Sequence, residues 1–302
     1  MLIDISNAVI EQLHDDLFLQ KQVTVFVLRL DKIHTHISGN KIFKLHYFLE
    51  EALQSDQKTI LTFGGAYSNH LAATAFACSL LQLKSIGIVR GQKPPQLSPT
   101  LQQCIDDGML LKFISREEYN KKEDPAFIHD LKGEFGECII VPEGGYHSAG
   151  AKGAALIFDL IKDKKITHIC LATGTATTLA GILIAAKPEQ TVIAVPVLKG
   201  ITDMNERIKH LTGKPRKFKN LQLLNDYHFG GYAKKTGILI NFINHCWLYY
   251  NLPLDFVYTA KMFFGVIESI KKDSFKKGSK IICLHTGGLQ GNKSLPLNTL
   301  LF

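Results

Sequence analysis

The sequence has no Cys-x-x-Cys pair, no histidine at zinc-finger spacing from a cysteine, and no uninterrupted apolar run approaching the roughly 18 residues that a membrane span needs. A zinc finger, a thiol oxidoreductase motif and a helical membrane protein are thereby excluded. It lacks the Gly-Lys-Ser/Thr ending of a P-loop, the Gly-x-Gly-x-x-Gly of a dinucleotide site and the Gly-x-Ser-x-Gly of a nucleophile elbow. It also lacks fixed-period repeats and low-complexity tracts, which rules out collagen and coiled coil. Charged residues are only 21% against 46% hydrophobic, a balance that fits a folded globular chain and not a disordered one. The first residues, Met1 to Leu17, mix acidic groups with scattered apolar ones and do not read as a targeting segment, so a cytoplasmic location is expected.

What is present starts with six cysteines, at 78, 104, 138, 170, 246 and 283. Cys138, Cys170 and Cys283 sit in short apolar runs, where a thiol acts as a small buried hydrophobe, and all six are read as structural. Lysine and arginine number 35 against 27 acidic residues, a formal net charge of +8. Much of the excess is dispersed in pairs such as Lys121-Lys122, Lys164-Lys165, Lys271-Lys272 and Lys276-Lys277, which reads as solvated surface rather than a nucleic-acid groove. At 302 residues the chain is long enough for two domains or one large one, though composition marks no boundary.

Short aliphatic runs alternate with segments of helical spacing. Strands are expected at residues 23–30, 59–63, 85–89, 110–114, 138–141, 168–172, 191–197, 221–224 and 280–284. Helices are expected at 42–53, 70–81, 100–107, 125–135, 151–161, 177–186, 204–211, 236–249 and 260–270. Parallel strands need crossover connections, so the alternation predicts an α/β fold of mostly parallel sheet with helices on both faces. Four runs end in glycine, at Gly64-Gly65, Gly144-Gly145, Gly174 and Gly287-Gly288. Ligands bind outside the carboxyl ends of such strands, so these four ends point to one crevice.

Individual segments remain open to two readings. Cys170 to Gly181 runs from an apolar strand through Gly174, Thr175, Ala176, Thr177 and Thr178 into a helix start. It is either an anion site built on backbone N–H groups and the helix dipole, or only a tight turn with a threonine cap. Ser38-Gly39-Asn40-Lys41 precedes an amphipathic helix. Lys41 is either a solvated base beside a cap or a nucleophile, and the latter requires an amine brought below its ordinary value of about 10.4 by desolvation or a nearby cation. Lys44, one turn on, is a candidate phosphate partner. Ser68, Asn69 and His70 begin a helix, with Ser68 either its cap or, if His285 and Asp255 assemble beside it, a hydrolase nucleophile.

Taken in order, Gly39-Asn40-Lys41 with Lys44-Leu45, Ser68-Asn69-His70, Pro142-Glu143-Gly144-Gly145 with Gly150-Ala151-Lys152-Gly153, the loop 174–178, Val257-Tyr258 with Lys261, and His285-Thr286-Gly287-Gly288 resemble a known family. It is that of 1-aminocyclopropane-1-carboxylate (ACC) deaminase and D-cysteine desulfhydrase, pyridoxal-phosphate enzymes of fold type II, the tryptophan-synthase-β-like fold. The resemblance runs from about residue 29 almost to the end of the chain. It implies two open, twisted, mostly parallel sheets, a larger domain of residues 1–47 and 150–302, and a smaller one of 48–149. Lys41 would bind pyridoxal 5'-phosphate covalently and Asn69 would hydrogen-bond its phenolic oxygen. Gly174, Thr175, Ala176, Thr177 and Thr178 would cradle the phosphate, with Lys44 adding charge. Ser68, Asn69 and His70 would receive the substrate, and Tyr258 and Tyr232 would stand beside it. In the deaminase branch a glutamate and a leucine occupy the positions of Thr259 and Thr286. A hydroxyl instead of a carboxylate leaves the pyridine nitrogen neutral and the electron sink weaker, which suits expulsion of a good β leaving group. The expected activity is therefore β-elimination on a small amino acid, D-cysteine to pyruvate, hydrogen sulfide and ammonia, with no metal and a homodimeric assembly. ACC deamination and a non-catalytic cofactor-binding protein are the alternatives.

Overall fold

The computed structural model describes residues 1–34, 37, 39–161, 165–214 and 218–302; Ser38 and Lys164 lie outside the described residues. The strands are β1 (Val9–Leu13), β2 (Thr24–Arg29), β3 (Thr59–Gly64), β4 (Lys84–Arg90), β5 (Leu110–Ile114), β6 (Ile139–Val141), β7 (His168–Thr173), β8 (Thr191–Pro196), β9 (Leu221–Leu223) and β10 (Lys280–His285). The α-helices are α1 (Asp16–Gln20), α2 (Lys41–Gln54), α3 (Asn69–Leu80), α4 (Pro99–Asp106), α5 (Arg116–Tyr119), α6 (Pro125–Phe135), α7 (Ser148–Ala155), α8 (Thr177–Ala185), α9 (Met204–Thr212), α10 (Gly237–Tyr250) and α11 (Thr259–Lys271). The expected strands and helices all form, most within two residues of their predicted ends. The expected helix 151–161 starts earlier, at Ser148, and tightens into a 3-10 turn over Leu156–Leu160.

Among the described residues these strands make two sheets, one ordered β1-β2-β10-β7-β8-β9 and one ordered β5-β4-β3-β6. Every pairing is parallel except β1 with β2. Central strands such as β3, β7 and β10 are buried at nearly every position because helices cover both faces, which is why they read as unbroken apolar runs. Strand β1 was not expected from the sequence. Its Val-Ile-Glu-Gln-Leu stretch buries only Leu13, as an edge strand with one wet face does.

The two sheets share one hydrophobic core. Leu28 and Leu284 from the first and Ile60 and Ile139 from the second belong to it, joined through Phe43, Leu45 and Leu49 of α2, Ala151 of α7 and Leu179 of α8. A fully buried side chain of this kind contributes about 1.5–3 kcal/mol. Helices α2 and α7 approach closely because Gly153 has no side chain: a Cβ there would collide with the Phe43 carbonyl oxygen. Helices α10 and α11 close the other face of the larger sheet with a second core containing Phe263, Val266 and Cys283. All six cysteines are buried free thiols. Among the described residues no helix is long and apolar enough to cross a membrane, and no group of three His, Cys, Asp or Glu could hold a metal ion.

Candidate active site

The four glycine-bearing strand ends do converge. Asn69 after β3, Gly144 after β6, Thr173 to Thr178 at the end of β7, and Thr286 to Gly288 after β10 line one cavity, together with Asn40, Lys41, Lys44, Ala172 and Tyr258. About 510 Å³ of space lies between its walls, counting the part open to solvent.

The start of α2 reaches this cavity because Gly39 takes a left-handed φ of 87° and lies against the Thr286 carbonyl, where any Cβ would collide. The Asn40 N–H donates to that same carbonyl at 3.2 Å, stitching the helix start to the loop after β10. Asn40 does not cap α2 with its side chain. Its amide nitrogen donates to Thr178 Oγ1 at 2.7 Å, and its amide oxygen accepts from Lys41 Nζ at 2.9 Å. Burial lowers the Lys41 amine to about 8, against an opposing pull from Asp255. The Lys44 side chain is buried and donates to the Gly144 carbonyl at 3.1 Å. Burial, and then the like charge of Lys41, drives its amine well below the ordinary lysine value.

At the opposite wall, Ala176 begins α8 with a left-handed φ of 67°. The N-terminal N–H groups of α8 lack a side-chain cap, and the hydroxyls of Thr175 and Thr177 lie 3.0 Å apart. Two buried polar atoms on the cavity wall have no partner, Thr173 Oγ1 and Asn69 Oδ1. Buried polar groups are normally satisfied, and an unpaired one costs about 1–3 kcal/mol. An uncapped helix start, a free hydroxyl and amide oxygen, and a buried lysine amine with no ion-pair partner among the described residues together fit an anionic, hydrogen-bonding ligand, and a phosphorylated pyridine meets each of them.

The remaining site residues take different places. Tyr258 lines the cavity, its hydroxyl pushed well above the ordinary phenol range by burial and then by its neighbour Tyr232. Tyr232 is 54% exposed, does not line the cavity, and meets the Tyr258 ring edge-on at 6.0 Å between centroids. Ser68 caps α3, its Oγ accepting from Leu71 N at 3.2 Å, and lies outside the cavity lining. His70 is buried behind the wall. Thr62 Oγ1 donates to the Val141 carbonyl at 2.7 Å and so accepts from His70 Nε2, at 2.9 Å. Burial, then Lys41 and Lys44, lowers His70 to about 3, so the ring is neutral. Thr286 lines the cavity, whereas the Thr259 hydroxyl is buried against Asp255 at 2.6 Å and does not. The hydrolase set does not assemble: His285 Nε2 faces the Pro253 carbonyl at 2.6 Å and Nδ1 lies 3.2 Å from Asp31.

The sequence reading had no role for Thr173, for the Asn40 amide or for the Arg29–Asp31 pair that backs His285. Thr173 could have been found as the polar residue that ends an apolar strand just before a cavity glycine. The other two depend on contacts between residues far apart in the chain.

A family model described as pyridoxal-phosphate dependent enzyme matches residues 15–287. A Pyrococcus furiosus protein provisionally named 1-aminocyclopropane-1-carboxylate deaminase is 31% identical over 284 residues, 88% of this chain and 85% of that one. The mitochondrial bifunctional D-cysteine desulfhydrase/1-aminocyclopropane-1-carboxylate deaminase of Arabidopsis thaliana is 30% identical over 300 residues, 88% of this chain and 73% of the relative. Among solved structures, an ACC deaminase homologue superposes with a TM-score of 0.81 at 26% identity, covering 96% of this chain and 92% of the other. A hydrogen sulfide-producing enzyme of Fusobacterium nucleatum, 16% identical, shares the fold with a TM-score of 0.65 over 97% of this chain and 98% of that one. With the family match running over residues 15–287, the chain belongs to the pyridoxal-phosphate dependent enzyme family, in its ACC deaminase and D-cysteine desulfhydrase group, and pyridoxal phosphate is its cofactor.

Proposed function

We propose that this chain is a lyase that eliminates a β leaving group from a small amino acid, D-cysteine foremost, giving pyruvate, hydrogen sulfide and ammonia with uptake of one water. The observation that carries this reading is the cavity wall itself: among the described residues it contains no carboxylate, and the loop after β10 offers the hydroxyl of Thr286. Residues 174–178, the start of α8 and Lys44 would hold the cofactor phosphate, Asn69 its ring oxygen, and Lys41 its carbonyl carbon. When bound, the cofactor supplies an electron sink for a negative charge at the substrate Cα. With no carboxylate on the wall, the residues present would leave the ring nitrogen unprotonated, which would suit loss of a good β leaving group such as thiolate.

Lys41 is suited to take the Cα proton, because an amine near 8 is partly unprotonated around neutral pH and still basic enough to accept a proton. The Asn40 oxygen keeps that amine aimed along the cavity. Tyr258 stays protonated, so its hydroxyl serves as a hydrogen-bond donor to the departing sulfur rather than as a base. Ser68, Asn69 and the α3 start would receive the substrate carboxylate, with Ser68 reorienting from its capping bond. Neutral His70 backs this segment through Thr62 and keeps a second positive charge away from Lys41 and Lys44.

Ring-opening deamination of ACC is the second reading, favoured by the names of the relatives above. The two activities separate by product. D-cysteine yields hydrogen sulfide and a three-carbon keto acid, whereas ACC yields no sulfide and a four-carbon keto acid. Purified protein supplied with each substrate is expected to release sulfide from D-cysteine. Turnover of ACC alone would overturn the proposal. Lys41→Ala should abolish turnover and the cofactor's covalent absorbance band, and borohydride reduction of the parent should fix the cofactor on the Lys41 peptide.

A further inference from the structure

Asp255 is a fully buried carboxyl that neither the cofactor nor the substrate assignment uses. It lies directly behind the cavity wall. A Cβ built on Gly288, which lines the cavity, would sit 3.4 Å from Asp255 Oδ2 and 3.2 Å from Asn69 Nδ2. Both carboxyl oxygens are met only by donors. Oδ1 accepts from the N–H groups of Val257 at 2.9 Å and Tyr258 at 2.7 Å. Oδ2 accepts from the Thr259 N–H at 2.9 Å and its hydroxyl at 2.6 Å. Burial raises the group above the ordinary carboxylate value, and the bonds from Thr259 and Tyr258 partly offset that rise while holding the turn that carries Tyr258 into the cavity.

Lys41 of α2, Lys261 of α11 and His285 of β10 all interact electrostatically with Asp255. Behind His285 stands Asp31, already paired with Arg29. Tyr258 and Asn69 are the neutral neighbours on the cavity side. Lys41 makes its hydrogen bond to a neutral amide and has no carboxylate among the residues lining its cavity.

We propose that Asp255 is a positioning residue of the active site: its carboxylate, one glycine behind the wall, is the buried counter-charge of the Lys41 amine and the anchor of the Tyr258 turn. The assignment rests on Lys41 being the cofactor lysine. Asp255 thereby keeps the amine basic enough to take a Cα proton, in a place where burial alone would leave it a weaker base.

The test uses the cofactor-free protein, so that its readout does not depend on turnover. Trace acetylation across the neutral to alkaline range, with the Lys41 peptide quantified by mass spectrometry, reports the amine midpoint. The parent is expected near 8. Asp255→Asn keeps an oxygen to cap the turn but loses the charge, and should lower the midpoint by about one unit, a roughly tenfold change in the free-amine ratio. Thr259→Val removes a donor and leaves the charge, and should leave the midpoint within a few tenths of a unit of the parent's. In the loaded enzyme the acid limb of the kcat profile should move in the same direction for Asp255→Asn. If that variant does not fold, Asp255→Ser, which retains a capping hydroxyl, carries the same comparison. An unmoved midpoint in a folded, uncharged variant, or an equal shift in Thr259→Val, overturns the proposal and leaves Asp255 a helix cap. Recovery of the borohydride adduct on a different lysine would instead sink the underlying site assignment.

Discussion

Lys261 offers a prediction in which stability and activity move in opposite directions. Its side chain is fully buried in α11, and Nζ donates to the Gly231 carbonyl at 2.7 Å. Burial, partly offset by Asp255, lowers the amine from 10.5 to about 8. The unfolded chain therefore binds the proton more tightly than the folded one. The resulting deficit is absent above the unfolded value, grows as pH falls from 10.5 to about 8, and is complete below that. At about 1.4 kcal/mol per unit the deficit is up to about 3 kcal/mol near neutral pH. Lys261→Met removes it but leaves the Gly231 carbonyl without its donor, a loss of about 1–2 kcal/mol. The variant should thus be more stable than the parent by about 1–2 kcal/mol near neutral pH and less stable by a similar amount above the unfolded lysine value. Urea unfolding of both cofactor-free proteins at the two pH values measures this crossing. An unchanged order of stability at both would refute the reasoning. Activity should fall in the same variant, because the freed segment carries Tyr232. Phe229, Gly230, Gly231 and Ala233 of that segment all hold positive φ, and Tyr232 rests its ring on Tyr258.

Other expectations follow from the cavity walls. Ala176→Gly relieves a left-handed alanine at the start of α8 and should raise stability by about 1 kcal/mol in thermal unfolding. Lys44→Met should weaken cofactor binding about 10- to 100-fold in an absorbance titration, the worth of one charge-assisted hydrogen bond to phosphate, while making the cofactor-free protein more stable. Gly39→Ala forces a Cβ into the Thr286 carbonyl at a φ of 87°, and should abolish cofactor uptake while leaving the core strands protected in hydrogen exchange.

The strands could be read from the sequence wherever they are buried on both faces. Runs such as Thr59–Gly64 and Lys280–His285 contain hardly a polar interruption, and the glycines that end them mark the cavity before any contact is known. The edge strand Val9–Leu13 and the short helices α1 and α5 escaped because each buries a single side chain, leaving no periodic signal. Within the site, Lys41, Lys44, Asn69 and the threonine loop were found from their neighbours in sequence. Ser68 and His70 came with the same motifs and Tyr232 with the family resemblance, yet they stand outside the cavity lining. Short-range pattern identifies the segment that reaches the site and does not say which of its side chains turns inward.

Asn40 illustrates why the inward turn depends on tertiary structure. An asparagine before a helix ordinarily spends its side-chain oxygen on the first-turn N–H groups, a bond that stabilises the helix by about 1 kcal/mol. Here that oxygen receives Lys41 and the amide nitrogen reaches Thr178, 138 positions away, so both ends of the side chain are committed across the cavity. The two bonds fix the orientation of the amide, since its oxygen must accept from the lysine and its nitrogen must donate to the threonine. They also link the Lys41 amine to the first turn of α8 through one side chain. A helix cap has been given up for a spacer between the Lys41 amine and the threonine loop. The Asn40 N–H bonded to Thr286 supplies the anchor that lets α2 begin without its cap.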